Sequence, residues 1–139
     1  MKAARILAAA AALARLAGCG QLDLTPEGNP ARVLVGQIQL GDAAPLPPDA
    51  SATVRVVDAN QLGQPPVVLG SQTLTHLGAS PIDFRVEYPA VDELLRQGLN
   101  IEVRVSYGGR VRYFNRNRYA LTLGNVTDVH RVNVDRAQP

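Results

Sequence analysis

The residues best suited to chemistry are Leu16-Ala17-Gly18-Cys19, which end a short leader. In this leader two cations, Lys2 and Arg5, precede an apolar run over 6–14. The run is too short to span a bilayer, which takes about 20 residues, and the layout is typical of a secretory signal. Small residues directly before a cysteine form a lipobox, in which the Cys19 thiol accepts a diacylglycerol. We predict a signal peptide over 1–18 and lipidation at Cys19. A free thiol or a disulfide to another chain is the alternative.

Removal of this leader changes the charge of the chain. Three of the 14 Lys and Arg residues lie within 1–18, whereas all 12 Asp and Glu residues follow it, which leaves 11 basic and 12 acidic residues. The formal charge of the mature part is then −1. The sequence pI of about 9.0 therefore belongs largely to the leader, and nucleic acid is not expected as a partner.

The rest of the sequence divides into a tether and one domain. Residues 19–31 are polar, contain Gly and Pro and have no periodicity, so we predict a lipidated cysteine and tether there and a domain over 32–136. A stretch of ~12 residues spans about 40 Å at most, so the domain stays near the membrane. Gly20 stands where an Asp is the inner-membrane retention signal in enterobacteria. We therefore expect a lipid-anchored protein of the cell envelope, in the outer membrane and facing the periplasm.

Residues for catalysis or metal binding are sparse. His76 and His130 are far apart and have no neighbouring cysteine or closely spaced carboxylates, so no metal or cofactor is predicted. No Gly-x-Ser-x-Gly motif is present, and the adjacent acids Asp92 and Glu93 suit the start of a helix. We predict a non-catalytic binding or structural protein, with an envelope enzyme as the less favoured alternative.

A basic and aromatic segment over 110–119 is the clearest candidate for binding. It holds four arginines and three aromatic residues and no acid. Such side chains can bind anionic ligands, and our candidate interaction surface comprises Arg104, Arg110 and Arg112. The expected partner is an envelope protein with an acidic peptide, or an anionic envelope component such as the phosphate of lipopolysaccharide. The simpler interpretation makes Arg110 and Arg112 the solvated face of a strand.

These candidate residues are expected to lie on or beside β-strands, because apolar and polar residues alternate along much of the chain. The clearest runs are 82–88 and 101–107, and turn residues separate the runs. The pattern predicts an all-β fold, a compact antiparallel β-sandwich of about seven or eight strands. Phe84, at the centre of one run, is predicted to anchor the core. One short helix is predicted over 91–97, closed by a glycine.

The predicted hairpin after residue 107 has two possible registers. A two-residue turn at Gly108-Gly109 would place Arg110 and Arg112 on the core side of the sheet. We therefore expect a longer turn that pairs Tyr107 with Val111, or a bulge.

Several segments carry a resemblance to a known family. They are Val35-Gly36-Gln37-Ile38, Ala44-Pro45-Leu46-Pro47-Pro48-Asp49-Ala50, Thr53-Val54-Arg55-Val56-Val57-Asp58, Pro81-Ile82-Asp83-Phe84-Arg85-Val86 and Tyr88-Pro89. In this order they resemble the YbaY/YscW-type bacterial lipoprotein domain, with the match covering about 33–123. Where that family usually has Thr and Asp followed by Pro, this chain has a different sequence over 115–120.

The resemblance implies a compact β-sandwich and two kinds of function. Most YbaY-like members are outer-membrane lipoproteins without an established activity. YscW-like members act as pilotins, which escort the secretin of a type III secretion system to the outer membrane. No residue of this sequence selects for a secretin. The main expectation is therefore an outer-membrane-anchored lipoprotein with an undetermined partner, and a pilotin-like chaperone of a secretin is the alternative.

Overall fold

The computed structural model describes residues 31–42 and 45–137, which form eight strands and one helix. In chain order these are β1 (Ala31–Leu40), β2 (Ser51–Asp58), β3 (Val67–Thr75), β4 (Ile82–Pro89), α1 (Asp92–Gln97), β5 (Leu99–Tyr107), β6 (Arg110–Phe114), β7 (Tyr119–Leu121) and β8 (Val129–Arg136). The predicted signal peptide over 1–18, Cys19 and the tether up to residue 30 lie outside the described residues.

The strands form one sheet that curls until its two ends meet. The strand order is β3-β2-β5-β6-β8-β1-β4, and β7 also pairs with β5. The terminal strands touch, since Gln72 Oε1 of β3 accepts a hydrogen bond of 2.7 Å from the Arg85 amide of β4. Gly70 of β3 lies so close to the Glu87 carbonyl of β4 that a Cβ would not fit between them. The all-β prediction is confirmed, and the sheet is nearly closed and barrel-like.

Two features of this sheet differ from the two antiparallel layers of a sandwich. β1 and β8 pair in parallel. β6 joins the two halves of the sheet, pairing with β8 over two residues, Tyr113 with Arg136 and Phe114 with Asp135. Alternation along a strand determines which side chains face the core but not which strand lies alongside. The alternating pattern therefore predicts the fold class but not which strands pair.

The alternating side chains fill the inside of the barrel as predicted. In β4 every second residue is buried, namely Ile82, Phe84, Val86 and Tyr88, and the residues between them are exposed. Phe84 is 3% exposed. Its ring occupies the space beside Gly36 of β1, where any Cβ would overlap it. The predicted core position of Phe84 is confirmed.

The predicted short helix is present as α1 and packs one side onto the core. Leu95 is fully buried. Gly98 ends the helix at φ 93°, a conformation that suits glycine, and its amide donates to carbonyls of the last turn. Arg32 of β1 pairs with Asp92 at 2.6 Å, so the helix is held against the start of β1.

The β5–β6 hairpin combines a two-residue turn with a bulge. Gly108-Gly109 forms the turn with φ of 65° and 77°, and Tyr107 pairs with Arg110. The register then shifts further along the hairpin, which returns Tyr113 to the core. The expected pairing of Tyr107 with Val111 is wrong, and the alternative of a bulge is confirmed. The extra residue lies within the strand, so the turn itself can stay short.

The start of β1, the helix α1 and the β2–β3 loop lie together at one end of the barrel. Ala31, the first residue of β1, pairs with Pro89 at the end of β4. β3 begins at this end as well, since Gly70 near its start contacts Glu87, and α1 follows β4 directly. We call this the tether end, and the Gly108-Gly109 turn lies at the opposite end. Within the described ranges, the helix is too short to cross a membrane.

Candidate functional site

A cleft of about 290 Å³ opens on the outer side of β5 and β6. Arg104 of β5 pairs in register with Phe114 of β6, and both side chains line the cleft. The segment 115–118, which connects β6 to β7, forms the opposite wall with Arg116 and Arg118. We call this site the arginine cleft, defined by these four residues.

Asparagine side chains shape the cleft where β6 leaves β5. Asn115 Nδ2 donates to the Ile101 carbonyl at 2.9 Å, and its Oδ1 accepts from the Val103 amide at 2.8 Å. The side chain thus adds two bonds to the one that the Asn115 amide makes to the Val103 carbonyl at 3.4 Å, just after β6 ends. Asn100 Oδ1 accepts from the Tyr119 amide at 3.1 Å, where β7 returns to β5. The intervening segment is fixed at both ends, and its two arginines are exposed.

The arginine cleft carries positive charge that its own acid does not neutralise. Glu102, the acidic residue of its lining, pairs with Arg55 at 2.5 Å. Within the part of the chain that the structure describes, the side chains of Arg104 and Arg118 make no hydrogen bond or ion pair. Each keeps a planar set of donors that matches a carboxylate or a phosphate.

Arg116 is held in place across the cleft. Its guanidinium carbon lies 5.2 Å from the centre of the Phe114 ring, and Nη2 donates to the Arg136 carbonyl at 2.7 Å. Such stacking orders the guanidinium before a ligand arrives. Sequence reasoning included Arg116 and Arg118 in the basic segment but did not single them out, because the contacts that present them reach back to β5.

Of the three arginines predicted to form a surface, only Arg104 lines the cleft. Arg112 turns back onto its own hairpin, with Nε donating to the Tyr107 carbonyl at 3.0 Å and the guanidinium 4.9 Å from the Tyr107 ring centre. Arg110 pairs with Tyr107. Because Tyr107 and Arg104 are three residues apart on one strand, Arg110 lies on the other side of the sheet from Arg104. The three arginines do not share one face.

The histidines lie apart, as their separation in sequence suggested. His130 is buried in β8, and its Nε2 is 3.0 Å from the Asn125 carbonyl oxygen. His76 follows β3 and contacts Thr75. No group of three His, Cys, Asp or Glu side chains among residues 31–42 and 45–137 is placed to hold a metal ion. The absence of a metal, a cofactor and catalysis stays a prediction.

Comparison with known proteins gives a family and a fold. Residues 29–134 match the family described as "Type III secretion system lipoprotein chaperone (YscW)". An alternative pilotin from the type II secretion system of Vibrio cholerae has a similar structure, with a TM-score of 0.67 and 18% sequence identity, covering 79% of this chain and 100% of that chain. At this identity the similarity shows the fold. No curated protein sequence matches the chain.

The family match runs from just before β1 into β8 and takes in the arginine cleft. It also includes the segments on which the resemblance to YscW-type domains rested, so that prediction is confirmed. Because the match covers well over half of the sequence, the chain belongs to the YscW family of type III secretion system lipoprotein chaperones.

Proposed function

We propose that this protein is a pilotin-like chaperone that binds the secretin of a secretion system and is anchored to the outer membrane by a lipid on Cys19. The family match over 29–134 carries the proposal. The sequence made this role the alternative to an outer-membrane lipoprotein of undetermined partner. The family and the pilotin fold favour the chaperone. Such a role requires binding and release rather than catalysis.

The arginine cleft is where we expect an acidic segment of the secretin to bind. Arg104 and Arg118 present donors that have no acceptor among the described residues, and Arg116 is already ordered on Phe114 and lies 3.9 Å from Asp135. A guanidinium can bind a carboxylate through two parallel hydrogen bonds. A hydrogen bond to a charged group contributes about 1.5–3 kcal/mol, so the loss of one such contact should weaken binding roughly 10- to 150-fold.

Anchoring at Cys19 would hold the bound client at the membrane surface. The chain enters β1 at the tether end, and a stretch of ~12 residues between Cys19 and β1 reaches about 40 Å at most. Strand β5 is itself roughly 30 Å long, judged from its nine residues at about 3.4 Å each. A client bound beside β5 therefore stays within about 70 Å of the bilayer.

Charge reversal within the cleft tests the docking step. The double variant Arg104→Glu, Arg118→Glu should keep its melting temperature, because both side chains are exposed. It should retain much less secretin than wild type when the chaperone is captured from a detergent extract.

The matched control is Arg110→Glu, Arg131→Glu, which makes the same change in net charge at exposed arginines outside the cleft. We expect this control to retain the secretin. Equal loss in both double variants would show that net charge alone matters. Full retention in the cleft variant would place the docking surface elsewhere.

A further inference from the structure

Ten consecutive exposed residues at the tether end carry no charge. They span 59–68, the β2–β3 loop and the start of β3, with the sequence Ala-Asn-Gln-Leu-Gly-Gln-Pro-Pro-Val-Val. Leu62 is 97% exposed, Val67 50% and Val68 45%. We call this segment the apolar loop. Single exposed apolar residues are ordinary, but an uncharged projecting segment with three exposed large apolar side chains indicates a contact surface.

The local structure presents Leu62 at the tip of this loop. The Gln64 amide donates to the Gln61 carbonyl at 3.2 Å, and Gly63 has φ 76°, so the chain makes a tight turn there. Asn60 Nδ2 donates to the Gly98 carbonyl at 2.9 Å. The base of the loop is thereby fixed to the end of α1 while its tip projects.

The position of the apolar loop relative to the chain entry decides what it faces. β1 starts at the tether end, and the proposed lipid site at Cys19 precedes it by a short stretch. Two cations near this entry are paired, since Arg32 binds Asp92 at 2.6 Å and Arg96 lies 3.3 Å from Glu93. The end of the barrel at which the chain from Cys19 enters β1 is thus also the end with an exposed leucine at the tip of an uncharged loop.

We propose that the apolar loop inserts into the interface of the same bilayer that holds the lipid, as a second membrane contact of this chaperone. The inference rests on the proposed anchoring at Cys19. An uncharged tip can enter the boundary between headgroups and acyl chains, to a depth of about 5–10 Å, without desolvating an ion. The diacylglycerol on Cys19 already supplies two acyl chains, which hold a chain stably on a membrane, so what the loop adds is a fixed orientation of the barrel.

Fixed orientation has a consequence for the client site. With the tether end on the bilayer, β5 rises from the surface, and the Gly108-Gly109 turn lies at most about 30 Å above it, judged from nine residues at ~3.4 Å each. The arginine cleft then opens sideways, since Ala59 of the loop and Arg104 both line it. A client reaches the cleft along the membrane surface.

Site-specific fluorescence quenching tests the contact. The full chain is produced in a bacterium as Leu62→Cys or as the matched control Val111→Cys, an exposed apolar residue beside the Gly108-Gly109 turn that is 42% exposed. Cys19 is the sole native cysteine, so mass spectrometry reports its acylation and each introduced thiol takes one fluorophore. The purified chain is placed on vesicles of phosphatidylethanolamine and phosphatidylglycerol, with or without a nitroxide on the headgroup.

We expect quenching and a blue-shifted emission at position 62 and neither at position 111. A lipid-anchored chain with no quenching at 62, or equal quenching at both positions, overturns the loop contact and leaves the anchor intact. If Cys19 carries no acyl group, the measurement is repeated with Cys19→Ser so that the fluorophore labels residue 62 alone; quenching at 62 then supports the loop contact and refutes the anchor. An unacylated chain that stays off the vesicles refutes both.

Discussion

Replacing Phe84 with alanine removes the ring that fills the barrel beside Gly36. Phe84 is 3% exposed, and a phenylalanine buries roughly 150–250 Å², worth about 4–6 kcal/mol at ~25 cal/mol per Å². Alanine keeps part of that contact, while the cavity left behind adds a cost of its own. The expected loss in the free energy of unfolding is about 3–5 kcal/mol.

Urea unfolding of a chain that begins at Gly20 measures this loss, with Arg85→Ala as the control. Arg85 is the next residue of β4, its side chain is 58% exposed, and it pairs with Glu87, whose side chain is 69% exposed. Its loss should change stability by about 0.5 kcal/mol or less. The slope of free energy against urea should stay the same in both variants, because the folded and unfolded surfaces hardly change. Similar destabilisation by the two variants would refute the assignment of inner and outer faces in β4.

The remaining predictions concern two tyrosines and two glycines. Tyr88→Phe should be neutral or stabilising by up to about 1 kcal/mol in thermal unfolding, since its buried hydroxyl has no hydrogen-bond partner among the described residues. Tyr113→Phe should cost about 1 kcal/mol, because its hydroxyl donates to Asp42 at 3.2 Å. Burial raises the pKa of the Tyr88 hydroxyl above its ordinary value of 10.0, so the folded state holds this proton more tightly than the unfolded state does. The stability that the protonated hydroxyl contributes is therefore present below about pH 10 and is lost as the pH rises through the raised pKa. Tyr88→Phe should therefore reduce alkaline destabilisation, and an unchanged pH profile would contradict this. Gly70→Ala should push β3 away from β4 and lower the free energy of unfolding by about 1–3 kcal/mol. Gly78→Ala has open space around it and should be near neutral. Equal effects of the two variants on stability would contradict the close contact between β3 and β4.

The sequence predicts features that neighbouring residues determine, but not those that depend on contacts between distant segments. The alternation over 82–88 predicts which side chains of β4 are buried, because the period of a strand is a local property. The two-residue Gly108-Gly109 turn pairs Arg110 with Tyr107, which puts Arg110 on the other side of the sheet from Arg104, and the bulge within β6 then shifts the register. Local periodicity has no means of showing such a shift.

The closure of the sheet and the arginine cleft depend on contacts between distant segments. The parallel pairing of β1 with β8 joins the two ends of the described chain, and no local pattern in either strand predicts this pairing. The cleft depends on Asn115, just after β6, whose side chain bonds to Ile101 and Val103 of β5. Before folding, the segment 115–118 is simply a polar connection with two arginines.

The most direct test of the proposed function is the amount of assembled secretin in the outer membrane. It is measured in cells with the wild-type chain, with Cys19→Ser at matched abundance, and without the chain. We expect secretin multimers to leave the outer-membrane fraction in the last two strains, and Cys19→Ser to co-purify with the secretin from the soluble periplasmic fraction. Undiminished multimers in the outer membrane of cells without the chain would contradict the chaperone role.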